Sequence, residues 1–271
     1  MRQRETEVDT ATLLVRLARN RREVAQAQAL RYRIFHQEMG ATSSLKHRLL
    51  RRDVDRFDRV CDHLLVIAPR RRRLVPYISG AVVGTFRLMR REVALSHRGF
   101  YSAGEFDLAP IMARYARCLE LGRSCVDPDY RSRAVIDRLW RAIAGYVVEH
   151  EVDMLFGCAS LPGADPDAHA ASLSYLQHFH GAASSCRPRA LDHRYVDMAR
   201  LPVGQIDPKR AWAALPPLLK GYLRLGAVIG DGAVIDRNFN TVDVCVMLPT
   251  EAIRTRYLDR YSRQPKGLAL A

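Results

Sequence analysis

Apolar residues recur along this chain with two spacings, and the switch between them lays out its elements. The largely apolar run CLELGRSCV (118–126) predicts a buried strand. A turn containing Pro128 follows, and then Ile136, Leu139, Ile143 and Val147 recur at helical spacing, predicting an amphipathic helix packed on a sheet. Upstream, residues 22–39 predict a helix with Val24, Ala27, Leu30, Ile34 and Phe35 near one face and Arg31 and Arg33 on the charged side. Residues 40–60 read as a loop carrying Asp53, Asp55 and Asp58 around Phe57. CDHLLVIA (61–68) and AVVGTFRLM (81–89) predict partner strands, joined through a solvated basic turn at Arg70–Arg73. Residues 100–108 read as a short helix or loop that brings Phe106 towards the core. Downstream come a strand at 153–160, a helix around Ala168 to His178, and an irregular Pro- and Arg-rich stretch at 181–210. A helix-prone run at 214–227 then leads into a turn-rich stretch, 228–249, that closes with a strand; GDG at 230–232 is a tight-turn signal.

Length and composition bound the architecture. A chain of 271 residues with 48% hydrophobic content buries a substantial core, as one large domain or one with an elaboration. The expected division is a basic, partly disordered segment over 1–20, a single domain over 21–260 elaborated after 180, and a tail over 261–271. Charge narrows the partners. The net charge is +14, and only four of the 43 basic residues are Lys. Arg suits bidentate phosphate and carboxylate contacts, and coding bias also favours it; the excess of positive charge points to an acidic partner. That partner is a carrier protein, an anionic membrane surface or a nucleic acid. A nucleic-acid-binding module is disfavoured, because the charges are dispersed and no helix-turn-helix, zinc-finger or aromatic RNA-binding signature occurs. The six cysteines form no CxxC pair and read as small hydrophobes in a reducing compartment. The nine His make no metal-ligand pattern, so no metal is assigned. No signal peptide or spanning apolar stretch occurs, and the expected location is cytoplasmic, peripheral at most to the inner face of the membrane.

Candidate chemistry centres on 118–134. Glu120 and Arg123 are poor company for Leu119, Leu121 and Val126 unless they are paired or at work. Strict alternation puts residues three apart on opposite faces of a strand. Both reach one site only through a bulge, which Gly122 would permit. Arg131 and Arg133 sit where the next helix begins, a place that favours a phosphate.

The run Val126, Pro128, Tyr130, Arg131 resembles the V-x-P-x-Y-R entry into the phosphate-cradling loop of the GNAT acyltransferase superfamily. The resemblance implies an α/β (α+β) fold, with a splayed mixed sheet flanked by helices and a C-terminal helical and strand extension. It also marks Val126, Tyr130, Arg131, Ser132, Arg133 and Ala134 as phosphopantetheine-binding. Where that superfamily usually has glycines this chain has Ser132, Ala134 and Ile136, which keep the backbone farther from a pyrophosphate. A single phosphate, as on acyl carrier protein, is therefore expected.

A second resemblance covers the first half. Acyl-homoserine lactone synthases show R-x3-F, D-x2-D, G-x-x-R-L and E-x-x-R in that order. Arg31 with Phe35, Asp55 with Asp58, Gly84 with Arg87 and Leu88, and Glu120 with Arg123 match. GCAS, LPPLLKGYLRLGA, GDGAVID and FNT-x-DV extend the likeness over roughly 24–260 to the bacterial L-ornithine N(alpha)-acyltransferases. These features argue against a lactone synthase, although another amine acceptor stays open. The resemblance implies transfer of a (3-hydroxy)fatty acyl group from acyl carrier protein to L-ornithine, with no tightly bound cofactor.

Such a reaction needs a base for the amine and donors for an oxyanion. Glu120 is the candidate base or water-positioner, the alternative being a core ion pair with Arg123. A backbone N–H near Ser124 or Cys125 is the candidate oxyanion donor. As covalent nucleophiles these two are disfavoured against core packing, since no His lies nearby in sequence. Arg31, Arg33 or Arg87 is expected to hold the acceptor carboxylate, and Asp55, Asp58 or Asp231 its distal ammonium. For the Asp53–Asp58 cluster the alternative is a solvated loop pairing with Arg51, Arg52 and Arg56. Phe106, Leu121, Leu155 and Phe156 are candidate walls for the acyl chain, or ordinary core.

Overall fold

The computed structural model describes residues 12–69 and 80–253. The basic turn at Arg70–Arg73, the start of the N-terminal segment and the tail at 261–271 lie outside the described residues.

The elements follow in chain order. Strand β1 (Leu14–Leu17) precedes helix α1 (Arg21–Arg31), whose first turn is capped by Asn20 accepting from Arg22 N and Glu23 N. The helix continues as a wider π-helical turn, Tyr32–Glu38. Helix α2 (Leu45–Leu50) leads to β2 (Asp62–Ala68), β3 (Ala81–Arg90) and α3 (Arg91–Ser96). Next come β4 (Phe106–Asp107), α4 (Ala109–Arg114), β5 (Cys118–Val126) and α5 (Arg133–Glu149), the last capped by the Ser132 hydroxyl. The second half holds β6 (Met154–Pro162), α6 (Ala170–His180), β7 (Arg189–Ala190) and β8 (Tyr195–Val196). It ends with α7 (Pro208–Ala214), α8 (Pro217–Arg224), β9 (Val228–Asp236) and β10 (Thr241–Pro249).

The ten strands of the described residues join one mixed sheet, in the order β1-β2-β3-β5-β6-β10-β9-β7-β4 with β8 beside β9. Its two faces follow the alternation of side chains. Leu64, Val66, Leu119, Leu121, Leu155 and Val244 pack against α5, α6 and α8. From the same strands, Leu65 and Ile67 pack against Ala27 and Leu30 of α1, while Cys118, Met154, Phe156 and Cys245 pack with Phe100, Phe106 and Ile111. Helix α5 buries Leu139, Ile143 and Val147 as its spacing predicts, but leaves Ile136 exposed, one turn past the cap.

Three expectations change. Leu14–Leu17, expected within a basic, partly disordered segment over 1–20, forms the edge strand β1 against β2. The expected loop at 40–60 contains α2 and a capped 3-10 turn at Arg56–Arg59. GDG lies inside β9 rather than at a turn, because β9 and β10 form a hairpin whose connection is Arg237–Asn240. Its glycines make room for crossing chain: a Cβ on Gly230 would lie 2.7 Å from Pro188 O, and one on Gly232 2.4 Å from the Tyr195 ring.

The centre of the sheet is split. Parallel strands β5 and β6 pair only from Cys118↔Met154 to Glu120↔Phe156 and then diverge. At the fork, a Cβ on Gly157 would stand 2.2 Å from Leu121 O, so only glycine fits. On the α1 side, Arg31 is fully buried and donates from Nε to Asp53 Oδ2 at 2.8 Å and from Nη1 to Asp58 Oδ1 at 2.8 Å. That clamp ties α1 to the segment before β2.

Gly157→Ala is expected to destabilise the protein by about 1–3 kcal/mol through forced separation at the fork, read as a lower denaturant midpoint at unchanged slope. Arg31→Met removes the nearer cation from buried Asp53 and Asp58, leaving them only the longer pairs with Arg123 at 3.3 Å and Arg87 at 3.2 Å, and should cost about 3–5 kcal/mol, measured in the same unfolding experiment.

Candidate active site

A cavity of about 550 Å³ occupies the fork and passes through the sheet. On the α5 side its walls include Phe86, Leu121, Trp140, Ala159, Leu218 and Tyr222. Towards α1 they include Phe35, Arg87, Tyr101, Ser102, Glu120, Arg123, Asp236, Phe239 and Asp243. Ring contacts stiffen both ends: Trp140 meets Tyr222 at 5.2 Å, and Phe35 meets Phe239 at 5.7 Å.

The bulge expected near Gly122 is present. Gly122 faces Arg87 and Cys125 faces Thr85, so Arg123 and Ser124 have no separate register partners on β3. The strained residue is Arg123 itself, at φ +50°, a left-handed conformation that a non-glycine residue adopts at a cost of roughly 1–2 kcal/mol. Its side chain offsets that cost. The guanidinium lies between the rings of Tyr101 and Phe239, 4.6 Å from each centroid, with Nη2 3.2 Å from Asp55 Oδ2 and Nε 3.3 Å from Asp53 Oδ2. The bulge turns Arg123 to the face that Glu120 occupies.

Glu120 and Arg123 share the cavity without forming an ion pair among the described residues. Glu120 accepts from the backbone N–H of Tyr101 at 2.9 Å and of Ser102 at 2.7 Å. Burial raises its pKa, and the bonds from Ser102 and Tyr101 oppose that rise.

The remaining motif residues form one ion network. Arg87 Nη1 donates to Asp55 Oδ2 at 2.6 Å and to Asp58 Oδ1 at 3.2 Å. Burial opposes ionisation of Asp53 and Asp58, but bonds and charges from His36, Arg31, Arg87 and Arg123 win; Asp53 is held far below the usual carboxylate range and Asp58 is lowered to about 2. Arg31, Asp55 and Asp58 are therefore engaged with protein partners and stand outside the cavity lining, rather than offering themselves to an acceptor. Arg33 is exposed and pairs with Asp127. Asp231 sits on β9 near Arg189 (3.2 Å) and the Tyr195 hydroxyl (3.2 Å), also outside the lining. Phe106, itself in β4, packs in the core with Phe156, and Leu155 is core on the α5 face, leaving Leu121 as the expected acyl wall that lines the cavity.

At the start of α5, Arg131 donates to Val126 O at 3.0 Å, pairs with Glu38 at 2.6 Å and lines the cavity together with Val126. Tyr130 packs against the α5-side core, the Ser132 hydroxyl accepts from Val135 N, and Arg133 and Ala134 are exposed. Ser124 and Cys125 line the cavity, and burial pushes the Cys125 thiol up to about 12, which suits packing and not nucleophilic attack. All six cysteines are free thiols.

Sequence reasoning missed Tyr101, Ser102, Glu105, Cys158, Asp236 and Asp243. Cys158, Asp236 and Asp243 lie within GCAS, GDGAVID and FNT-x-DV, which marked those stretches without singling these residues out, while Tyr101, Ser102 and Glu105 belong to no quoted motif. Among the described residues two groups have ligand atoms close enough to hold a metal: His36, His47 and Asp53, and Glu105, Asp236 and Asp243. In the first, Asp53 is already taken by Arg31 and Arg123. No described helix is long and apolar enough to cross a membrane.

Residues 30–141 match the acetyltransferase (GNAT) domain family. An N-acyl amino acid synthase from uncultured soil microbes, FeeM, has the same fold: 11% identity, TM-score 0.51, covering 92% of this chain and 97% of that one. The L-ornithine N(alpha)-acyltransferase of Agrobacterium fabrum is 46% identical over 95% of this chain and 87% of its own length. That of Brucella abortus is 47% identical over 93% of this chain and 90% of its own. The chain thus belongs to the L-ornithine N(alpha)-acyltransferase family, within the GNAT fold.

Proposed function

We propose that this chain transfers a (3-hydroxy)fatty acyl group from the thioester of acyl carrier protein to the α-amine of L-ornithine, giving lyso-ornithine lipid. The observation that carries the reading is the cavity through the fork, which joins an apolar half to a polar half across one reacting point. Phe86, Leu121, Trp140, Leu218 and Tyr222 suit an acyl chain; Glu120, Arg123, Asp236 and Asp243 suit a charged amino acid.

Between them the chemistry needs few groups. The amine nitrogen attacks the thioester carbonyl, a C–N bond forms and the C–S bond breaks. Glu120, directly or through a water, takes the proton the amine loses, and a proton passes to the departing thiolate. The bulge supports an oxyanion site at the backbone of Arg123 and Ser124, where neither neighbouring strand supplies a separate register partner.

The start of α5 supports a carrier-protein donor. A side-chain cap and no glycine leave less room for a pyrophosphate, while exposed Arg33, Arg131 and Arg133 suit a single phosphate and an acidic protein. On α2, exposed Leu45 and Leu49 flanked by Lys46, Arg48, Arg51 and Arg52 suit contact with an anionic membrane at the cytoplasmic face, where the lipid product would leave.

Purified protein with 3-hydroxyacyl carrier protein and ornithine should release free thiol and yield an N-acylated ornithine by mass, with acyl-coenzyme A and S-adenosylmethionine run in parallel. Product from acyl-coenzyme A alone would overturn the donor, and product only with another amine would overturn the acceptor. Glu120→Gln should lower kcat by about 10²- to 10⁴-fold. Because the folded pKa of Glu120 is raised, wild-type kcat should fall as pH drops through a value above the ordinary Glu range, and that limb should vanish in the variant.

A further inference from the structure

The fold takes Asp55, Asp58 and Asp231 out of reach of an acceptor and puts three other carboxylates in their place. Glu105, at the end of the 101–105 loop, Asp236, at the end of β9, and Asp243, on β10, are all buried. Their carboxylate oxygens lie within 4.8 Å of one another. Asp236 and Asp243 line the cavity together with Glu120, Ser102 and Cys158. Three buried carboxylates this close together demand positive charge or protons.

The protein supplies too little of either. Arg194 is the one cation in ion-pair range of the group among the described residues, 3.8 Å from Glu105 and no nearer. Asp236 Oδ1 accepts from the backbone N–H of Asn238 at 2.8 Å and of Phe239 at 3.1 Å. Asp243 is 4% exposed, and its Oδ1 has no partner in hydrogen-bond geometry, although the hydroxyls of Thr241 and Ser160 are close enough to ease its burial. Thr241 Oγ1 likewise has no partner in strict hydrogen-bond geometry. A buried acceptor oxygen that faces the cavity, served only by two hydroxyls short of full hydrogen-bond geometry, suits a ligand that brings donors.

One cavity joins Glu120 to the acidic group. Ser102 N donates to Glu120 at 2.7 Å, Ser102 Oγ lies 3.3 Å from Cys158 Sγ, and that sulfur lies 3.2 Å from Glu105 Oε2. The acidic group therefore begins no farther from Ser102 than those last two contacts in series. Ornithine separates its two nitrogens by about 6 Å when extended, from four C–C and C–N steps beyond the α-carbon and the α-nitrogen bond. Glu120, Asp236 and Asp243 line the same cavity, so an acceptor with its α-amine at Glu120 can turn a δ-ammonium about 6 Å away towards the acidic group.

We infer that Glu105, Asp236 and Asp243 form the subsite for the side-chain ammonium of the acceptor and select a diamino acid of ornithine's length. The inference rests on the reaction proposed above and adds the source of its acceptor specificity. Burial, together with the charge of neighbouring carboxylates, raises both Glu105 and Asp243 above the ordinary carboxylate range, as expected of a site short of positive charge. An ammonium supplies that charge along with three N–H donors.

The test compares kcat/KM for ornithine, norvaline (the same carbon chain without the δ-amine) and lysine in wild type, Asp243→Asn and Glu105→Gln. Wild type should prefer ornithine to both others. The ornithine-to-norvaline ratio should fall by about 10- to 100-fold in Asp243→Asn, the size expected for a lost charge-assisted bond. That ratio does not depend on how much of a variant folds. An unchanged ratio in both variants, or a wild type that accepts norvaline as well as ornithine, overturns the subsite. So does activity lost to a chelator and restored by a divalent cation, which would make the triad a metal site. Calorimetric binding of ornithine against norvaline reads the same preference without turnover. Binding selectivity with no transfer would overturn the reaction and leave the subsite standing.

Discussion

Neighbouring parallel strands that separate after three residue pairs must leave backbone groups and side chains facing a gap. In this protein the gap between β5 and β6 holds the cavity. Gly157 lets the strands come close at Leu121 immediately before they part, and the bulge at Arg123 and Ser124 follows on β5. Everything that lines the cavity is positioned by this separation: α5 and α8 close one side of the gap, and the π-helical turn after α1 and the 101–105 loop close the other. A regular sheet would have filled the space with side chains and left no passage between its faces.

Holding the fork open has an electrostatic side. Arg31, Arg87 and Arg123 interlock with Asp53, Asp55 and Asp58 below the bulge, and most of these groups are buried. Such a network is a weak source of net stability, because desolvation cancels much of the attraction. It does impose geometry. Arg123 stays in a left-handed conformation because two carboxylates and two rings hold its guanidinium, and that conformation turns the end of β5 towards the acceptor side. The spaced motif residues thus act mainly by shaping the wall of the site, while Glu120 stands free of the network and keeps a raised pKa.

The two sides of the cavity also differ in chemical character. Apolar walls under α5 and α8 accept hydrocarbon at little cost, and the opposite face concentrates polar groups that are costly to bury alone. Local compensation on that face is complete around Asp53 and Asp58 and incomplete around Asp243. The contrast separates carboxylates that serve the fold from carboxylates that await a ligand.

How much of this was legible in the sequence differs by element. Strands β2, β3, β5 and β6 and helix α5 were readable because their apolar spacing reports a buried face directly. The bulge was readable because Glu120 and Arg123, three apart, cannot otherwise share a face, though the sequence pointed to Gly122 and the strain fell on Arg123. The β9–β10 hairpin was misread, since GDG looks like a turn until Pro188 and Tyr195 cross it. Roles within the motifs were hidden as well: spacing marks Arg31 and Asp58 as important but cannot say that they bind each other across 27 positions. The acidic triad draws on residues 105, 236 and 243, whose neighbourhood exists only once β9 and β10 are laid beside β6. The chain by itself determined which segments bury a face and which residues belong to the family's pattern, because both are local or ordered along the sequence. Tertiary structure alone decided which charges neutralise one another and which are left facing the cavity, because charge compensation depends on distance in space.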